Sequence, residues 1–203
     1  LTTNGRAVVP REAIPNTSDR IDLDKVDCLL FNMRRYDTPP IGRLVSPEQA
    51  AAYFMLGEST ITSADDPSRV GQAKRVVGFD PFVIDNPHIN GNRLLRILRD
   101  NPGIRCYLLN TGRVGGKDGA NITVEATTTA VREAMRETLE WRYDDILGYE
   151  IPSSLPVPQG EDLDPYRWYS REEYASMIGD LRRERREYLQ QFKGLAPEIV
   201  DGV

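Results

Sequence analysis

Arg105-Cys-Tyr-Leu-Leu-Asn110-Thr-Gly-Arg-Val-Gly115-Gly-Lys-Asp-Gly119 is the stretch on which the fold turns. Arg105–Leu109 reads as a strand, an apolar run too short for a helix and stopped by turn residues. It empties into a loop with four glycines in the eight residues from Gly112. Beyond the loop, Ile122–Val124 predicts a short strand. The threonine run Thr127–Thr129 then leads into a helix with Val131, Met135 and Leu139 on one face.

Working outward, the same alternation continues. Asp27–Met33 carries Cys-Leu-Leu-Phe, which suits a buried strand, and Thr38-Pro39-Pro40 stops it because consecutive prolines cannot feed a sheet ladder. Ser46-Pro47-Glu48-Gln49 is a helix start: Ser46 can cap the amide of Gln49, and Pro47 fits the first helical position. That helix runs through Ala50–Met55 and ends near Gly57. Residues 58–75 read as polar loop, with a short strand at Thr60–Ser63. Asn90 is placed to cap a helix with Leu94, Leu95, Ile97 and Leu98 inward. Ser170 and Glu173 form a capping box for a closing helix whose buried stripe is Tyr174, Met177, Ile178, Leu181, Tyr188 and Phe192. A short strand near Ala7–Val9 and a proline-rich strap over Ile151–Asp164 complete the reading. Strands alternating with helices predict an α/β fold with a mixed sheet and flanking helices, as one domain over residues 1–203.

Composition narrows the functional classes. The 203 residues carry 31 acidic and 26 basic side chains, a net charge of −5. That balance argues against a general electrostatic grip on nucleic acid or on an anionic membrane. The longest apolar run, Ala50–Leu56, is far short of the roughly 20 residues a spanning helix needs. Cys28 and Cys106 lie in apolar strands and read as buried reduced thiols, which points to a reducing cytoplasm. With two cysteines and the single His88, a metal cluster is not expected.

Local chemistry is sparse. The glycine loop is a near miss to a phosphate-binding loop, because Gly116-Lys117 is in place. Yet Thr111 stands where glycine is needed, and Asp118 stands where a metal-binding hydroxyl is needed. Asp118 would also repel phosphate, so the loop reads as a tight structural turn or as a loop packing against some ligand. Arg6, after Asn4-Gly5, is able to clamp a phosphate or carboxylate. Arg182, Arg183, Arg185 and Arg186 are interspersed with Asp180, Glu184 and Glu187, which reads as a solvated helix face. Trp141 and Trp168 read as packing residues. No Ser-His-Asp set and no paired cysteines are present.

Four segments together resemble the ATP-dependent phosphoenolpyruvate carboxykinase family. Tyr107-Leu-Leu-Asn-Thr-Gly-Arg-Val-Gly-Gly116 is similar to its Leu-Val-Asn-Thr-Gly-Trp-x-Gly-Gly stretch. Asn4-Gly5-Arg6-Ala-Val-Val-Pro10 resembles its Asn-x-Arg-x-x-Tyr-Pro. Pro39-Pro40-Ile-Gly-Arg43-Leu-Val-Ser-Pro47-Glu48-Gln49 resembles its Pro-Pro-Val-Ser-Lys/Arg-Leu-Thr-Pro-Glu-Gln. Ile151-Pro152-Ser-Ser-Leu155-Pro156 and Leu163-Asp164-Pro165 resemble its Ile-Pro-x-x-Leu-Pro and Leu-x-Pro.

The resemblance implies a reaction in which oxaloacetate loses carbon dioxide and the enolate oxygen takes the γ-phosphoryl group of ATP, with Mg2+ or Mn2+ present. It makes this chain the C-terminal part of the nucleotide domain. It implies that Arg6 reaches the transferring phosphoryl group, that Asn121 and Ile122 fall on the adenine-contacting pair, and that Thr127 falls on a threonine near the base. The small-molecule substrate, the phosphate loop and the metal ligands would then belong to an N-terminal half upstream of Leu1. The chain alone is therefore expected to be inactive toward oxaloacetate. Four positions depart from the family: Arg113 replaces its tryptophan, Lys117-Asp118 replaces Pro-Tyr, and Asn121 replaces the stacking arginine. They favour a rival reading, a binding or regulatory module that has lost catalysis; a further rival is a kinase with a different acceptor, since acceptor contacts would come largely from the N-terminal half.

Overall fold

The computed structural model describes residues 8–15, 17–61, 65–79, 86–158 and 161–203. Strands β1 (Cys28–Met33), β2 (Ile41–Arg43), β3 (Glu58–Thr60), β4 (Ala73–Arg75), β5 (Arg105–Asn110), β6 (Arg113–Val114), β7 (Ala120–Asn121), β8 (Trp141–Asp144) and β9 (Tyr149–Pro152) are interleaved with helices. The helices are α1 (Pro47–Leu56), α2 (Pro87–Asp100), α3 (Val124–Met135), α4 (Arg171–Gln190) and α5 (Pro197–Val200). The main sheet has the order β1-β5-β2-β9-β8. Only β1 and β5 run parallel; the other pairs are antiparallel, so the sheet is mixed.

β5 shows why this sheet organises the molecule. Its side chains alternate between two cores. Cys106 and Leu108 face one that also holds Phe31, Met33, the alanines of α1, and Tyr174, Ile178 and Leu181 of α4. Tyr107 and Leu109 face a second with Ile41, Val114, Ile122 and the alanines of α3. A strand covered on both faces reads as a continuous apolar run, and this one does. The small residues Ala126, Ala130 and Ala134 give α3 its buried face.

The expected helix boundaries hold at α1 and α4. Ser46 Oγ accepts from Gln49 N at 3.1 Å, and Gly57 closes α1 at φ +48°. The Gln49 side chain reaches back to Val45 N at 2.9 Å. Ser170 and Glu173 form the reciprocal capping box of α4.

Other boundaries shift. α2 starts at Pro87 rather than behind Asn90, because proline with its fixed φ fits the first turn. Ile97 points outward, 42% exposed. Residues 58–75 are not simply loop: β3 and β4 pair with Glu58 opposite Arg75. Ile122–Val124 is not a strand. Asn121 ends β7, and Thr123 caps α3 by accepting from Ala126 N at 3.1 Å. The threonine run lies inside α3 instead of before it. Its hydroxyls donate back to carbonyls, Thr127 to Thr123 and Thr128 to Val124, which makes threonine tolerable in the first helical turns. Val8 and Val9 are exposed and outside any strand, and Ala7 lies outside the described residues. The strap after β9 crosses to Pro165, and with Pro39 and Pro40 it borders a groove of about 680 Å³.

Candidate nucleotide-facing hairpin

Asn110, the last residue of β5, is 1% exposed and holds the glycine loop in place. Its Oδ1 accepts from Arg35 N at 3.0 Å and from Gly112 N at 2.9 Å. Its Nδ2 donates to Thr38 O at 2.8 Å and to Thr38 Oγ1 at 3.2 Å. One amide thus ties the segment after β1 to the start of the loop. Gly112 packs so close to Arg35 that a Cβ would collide with the Arg35 carbonyl oxygen. Gly115, at φ +90°, takes the Trp168 ring over its Cα. These glycines serve close packing and a left-handed turn.

The loop amides are largely engaged. Arg113 N donates to Arg35 O at 2.8 Å, Gly116 N to Tyr36 O at 2.7 Å, and Gly119 N to Gly116 O at 3.3 Å. A phosphate cradle needs such amides free and convergent. The structural-turn reading of the loop therefore holds.

The loop folds into the β6–β7 hairpin, with Arg113 opposite Asn121 and Val114 opposite Ala120. Asn121 ends β7, Ile122 follows it, and Thr127 lies in the first turns of α3. Asn121 is exposed. Ile122 is not: its side chain is 7% exposed within the second core, and its N–H donates to Gly112 O at 3.0 Å. Thr127 is half-buried, and its hydroxyl proton is engaged by Thr123 O at 3.0 Å. Arg6 lies outside the described residues, so the structure does not relate it to this hairpin.

A second polar feature was invisible in the basic run. Arg185 is 2% exposed. It donates from Nε and Nη2 to the two oxygens of Glu58, at 3.0 and 2.6 Å, and from Nη1 to Tyr53 Oη at 3.0 Å. Arg35 and Arg75 approach the same carboxylate at 3.4 and 3.6 Å. Burial pushes the Glu58 carboxyl upward, but Arg185, with Arg35 and Arg75, outweighs it and holds the group down at about 2. The solvated-face reading therefore fails at Arg185. The signal was its spacing, four residues after Leu181 and four before Leu189, on the buried stripe.

The expectation of buried thiols holds for Cys106, whereas Cys28 is half-buried. Both are free, and burial pushes Cys106 up to about 11, which makes it a poor nucleophile. Among the described residues no three His, Cys, Asp or Glu side chains are grouped to hold a metal ion. No helix there is long and apolar enough to cross a membrane.

A profile of the phosphoenolpyruvate carboxykinase family matches residues 1–160. The chain belongs to that family. It is 34% identical to a phosphoenolpyruvate carboxykinase (ATP) of Aeropyrum pernix over 196 residues, 97% of this chain and 39% of the relative. A phosphoenolpyruvate carboxykinase (ATP) of Rhodopseudomonas palustris strain BisA53 is 32% identical, covering 83% of this chain and 33% of its own length. One from a Bradyrhizobium strain, ORS 278, is 29% identical, covering 98% and 40%. The chain thus spans about two-fifths or less of the length of these carboxykinases.

Proposed function

We propose that this chain supplies the adenine side of an ATP site in a carboxykinase-type enzyme that decarboxylates oxaloacetate and phosphorylates the enolate. The observation that carries the reading is Thr127 in the first turns of α3, its hydroxyl proton given to Thr123 O, just after the β6–β7 hairpin that ends in the exposed Asn121. Family membership supplies the reaction class.

The chemistry at Thr127 gives the reading content. A hydroxyl has one proton to donate, and Thr127 gives it to Thr123 O. What remains outward is lone-pair density. That suits the exocyclic amine of adenine, a donor, and not the carbonyl that guanine carries at the equivalent ring position. Ile122 offers its exposed edge and backbone rather than its whole side chain. Asn121 brings no cation to stack on the base, so the base is held more by its edge than by its face.

By resemblance Arg6 is assigned to the transferring phosphoryl group, where a permanently charged, planar guanidinium suits the developing charge. Mg2+ or Mn2+ would screen phosphate charge when bound. Among the described residues no three His, Cys, Asp or Glu side chains are grouped to hold either ion. Turnover is assigned to this chain together with the remaining three-fifths that its relatives possess.

The test is base preference. Titration calorimetry with ATP and GTP is expected to show ATP the tighter ligand, and Thr127→Val to weaken ATP about three- to tenfold while leaving GTP unchanged. Equal affinities for the two nucleotides, unaltered by the substitution, would remove the adenine-side assignment. In the same preparations the chain alone should release no phosphoenolpyruvate from oxaloacetate and ATP, and measurable turnover would contradict the division of labour.

A further inference from the structure

Residues 34–37 link β1 to the Pro39-Pro40 turn, and the β6–β7 hairpin hangs on their backbone. Arg35 O accepts from Arg113 N at 2.8 Å, and Tyr36 O accepts from Gly116 N at 2.7 Å. Arg35 N donates to Asn110 Oδ1 at 3.0 Å. Arg113 stands opposite Asn121 in the hairpin ladder. The placement of Asn121 therefore goes back, through one strand pair, to the carbonyl of Arg35.

The Arg35 side chain holds that backbone still. Its Nε and Nη2 donate to the two oxygens of Asp37 at 2.8 and 2.6 Å, and its Nη1 reaches Glu58 Oε1 at 3.4 Å. One guanidinium thus spans two carboxylates, both largely buried. Each of them leads to α4. Glu58 takes Arg185 on both oxygens, and the Asp37 carbonyl accepts from Tyr174 Oη at 2.9 Å. A planar fork with five donors can bridge two carboxylates in this way, and a lysine ammonium cannot do so in the same geometry. Among the described residues Asp37 has no other cation within 4.0 Å. Removing Arg35 would leave that carboxylate largely buried without a counter-charge, which favours local opening toward water.

We propose that Arg35 is the positioning residue of this hairpin. Locked between Asp37 and Glu58, it transmits the fixed geometry of the buried Glu58–Arg185 pair to the backbone that carries Arg113 and Asn121. Its effect on ATP rests on the adenine-side assignment made above: a hairpin that opens is a less preorganised ligand edge.

The experiment follows amide hydrogen exchange and ATP affinity in the full chain. Arg35→Gln is expected to raise exchange at Arg113 and Gly116 about tenfold or more, with a much smaller rise at Leu108 of β5 and Ile178 of α4. ATP should bind this variant about three- to tenfold more weakly. Arg35→Lys, which keeps the charge and loses the fork, should fall in between. Ser170→Ala, which destabilises α4 away from the hairpin, should neither single out Arg113 and Gly116 nor change ATP affinity. An equal rise at all four amides in Arg35→Gln would make Arg35 a general structural residue and overturn the proposal. If the hairpin loosens while ATP affinity holds, the positioning role falls, and Thr127→Val decides whether the ATP reading falls with it. Weaker ATP in Thr127→Val keeps that reading; unchanged ATP removes it. Should Arg35→Gln fail to fold, Asp37→Asn, which keeps the side-chain shape, carries the same comparison with the same expected and overturning results.

Discussion

Asn110 concentrates more of this site than any other single side chain. Its buried amide satisfies donors and acceptors of three residues on two backbone segments. Asn110→Ala leaves the amides of Arg35 and Gly112 without their acceptor, which should cost about 2–3 kcal/mol. For a chain of this size that is a fall of roughly 5–10 °C in melting temperature by calorimetry. Loss of under 1 °C would show that the clamp is not structural. Glu58 gives a pH signature. Its folded value, about 2, lies below that of an unfolded glutamate. Its stabilisation is therefore complete above pH about 5 and lost as pH falls from there through about 2. The amount is on the order of 3 kcal/mol. Acid denaturation followed by circular dichroism should show this loss in the wild type, and Glu58→Gln should flatten that acid limb while lowering stability at pH 7, where the arginines around it lose the negative charge they share. An unchanged acid limb in the variant would place the acid sensitivity elsewhere.

At the scale of elements, the hairpin and the helix it feeds depend on short-range rules that a sequence states openly. Ser46, Thr123 and Ser170 all cap helices. Ser170→Ala removes one half of the α4 capping box and should destabilise by about 1 kcal/mol in urea unfolding. No change in the unfolding midpoint would mean that the α4 N-terminus is held by Tyr174 and its neighbours alone. The capping residues and β5 were legible because local chemistry dictates them. The β3–β4 hairpin was not, since its polarity comes from Glu58, a carboxylate buried only because Arg185 arrives from a helix 127 residues later. The start of α3 was misplaced for a related reason: threonines read as strand or linker residues until their hydroxyls find carbonyls one turn back.

For the whole molecule, the mixed sheet with helices on both faces was readable from alternation, and the family resemblance was readable from four ordered motifs. What the motifs could not reveal is how their residues are used. Asn110 and the glycines of the Asn-Thr-Gly motif pin and pack a turn; they do not cradle phosphate. Ile122 lies mostly in the core. Under the proposed function, the part left for a ligand is small: the exposed Asn121 and the outward lone pairs of Thr127. On that proposed function, the molecule is a scaffold carrying one side of a nucleotide site.

The most direct measurement is an amide-shift titration of the chain with ATP. Perturbations centred on Asn121–Thr127, saturating in the millimolar range and reduced by Thr127→Val, are the predicted result. An unperturbed Asn121–Thr127 segment at saturating ATP would contradict the claim that this chain forms the adenine side of the site.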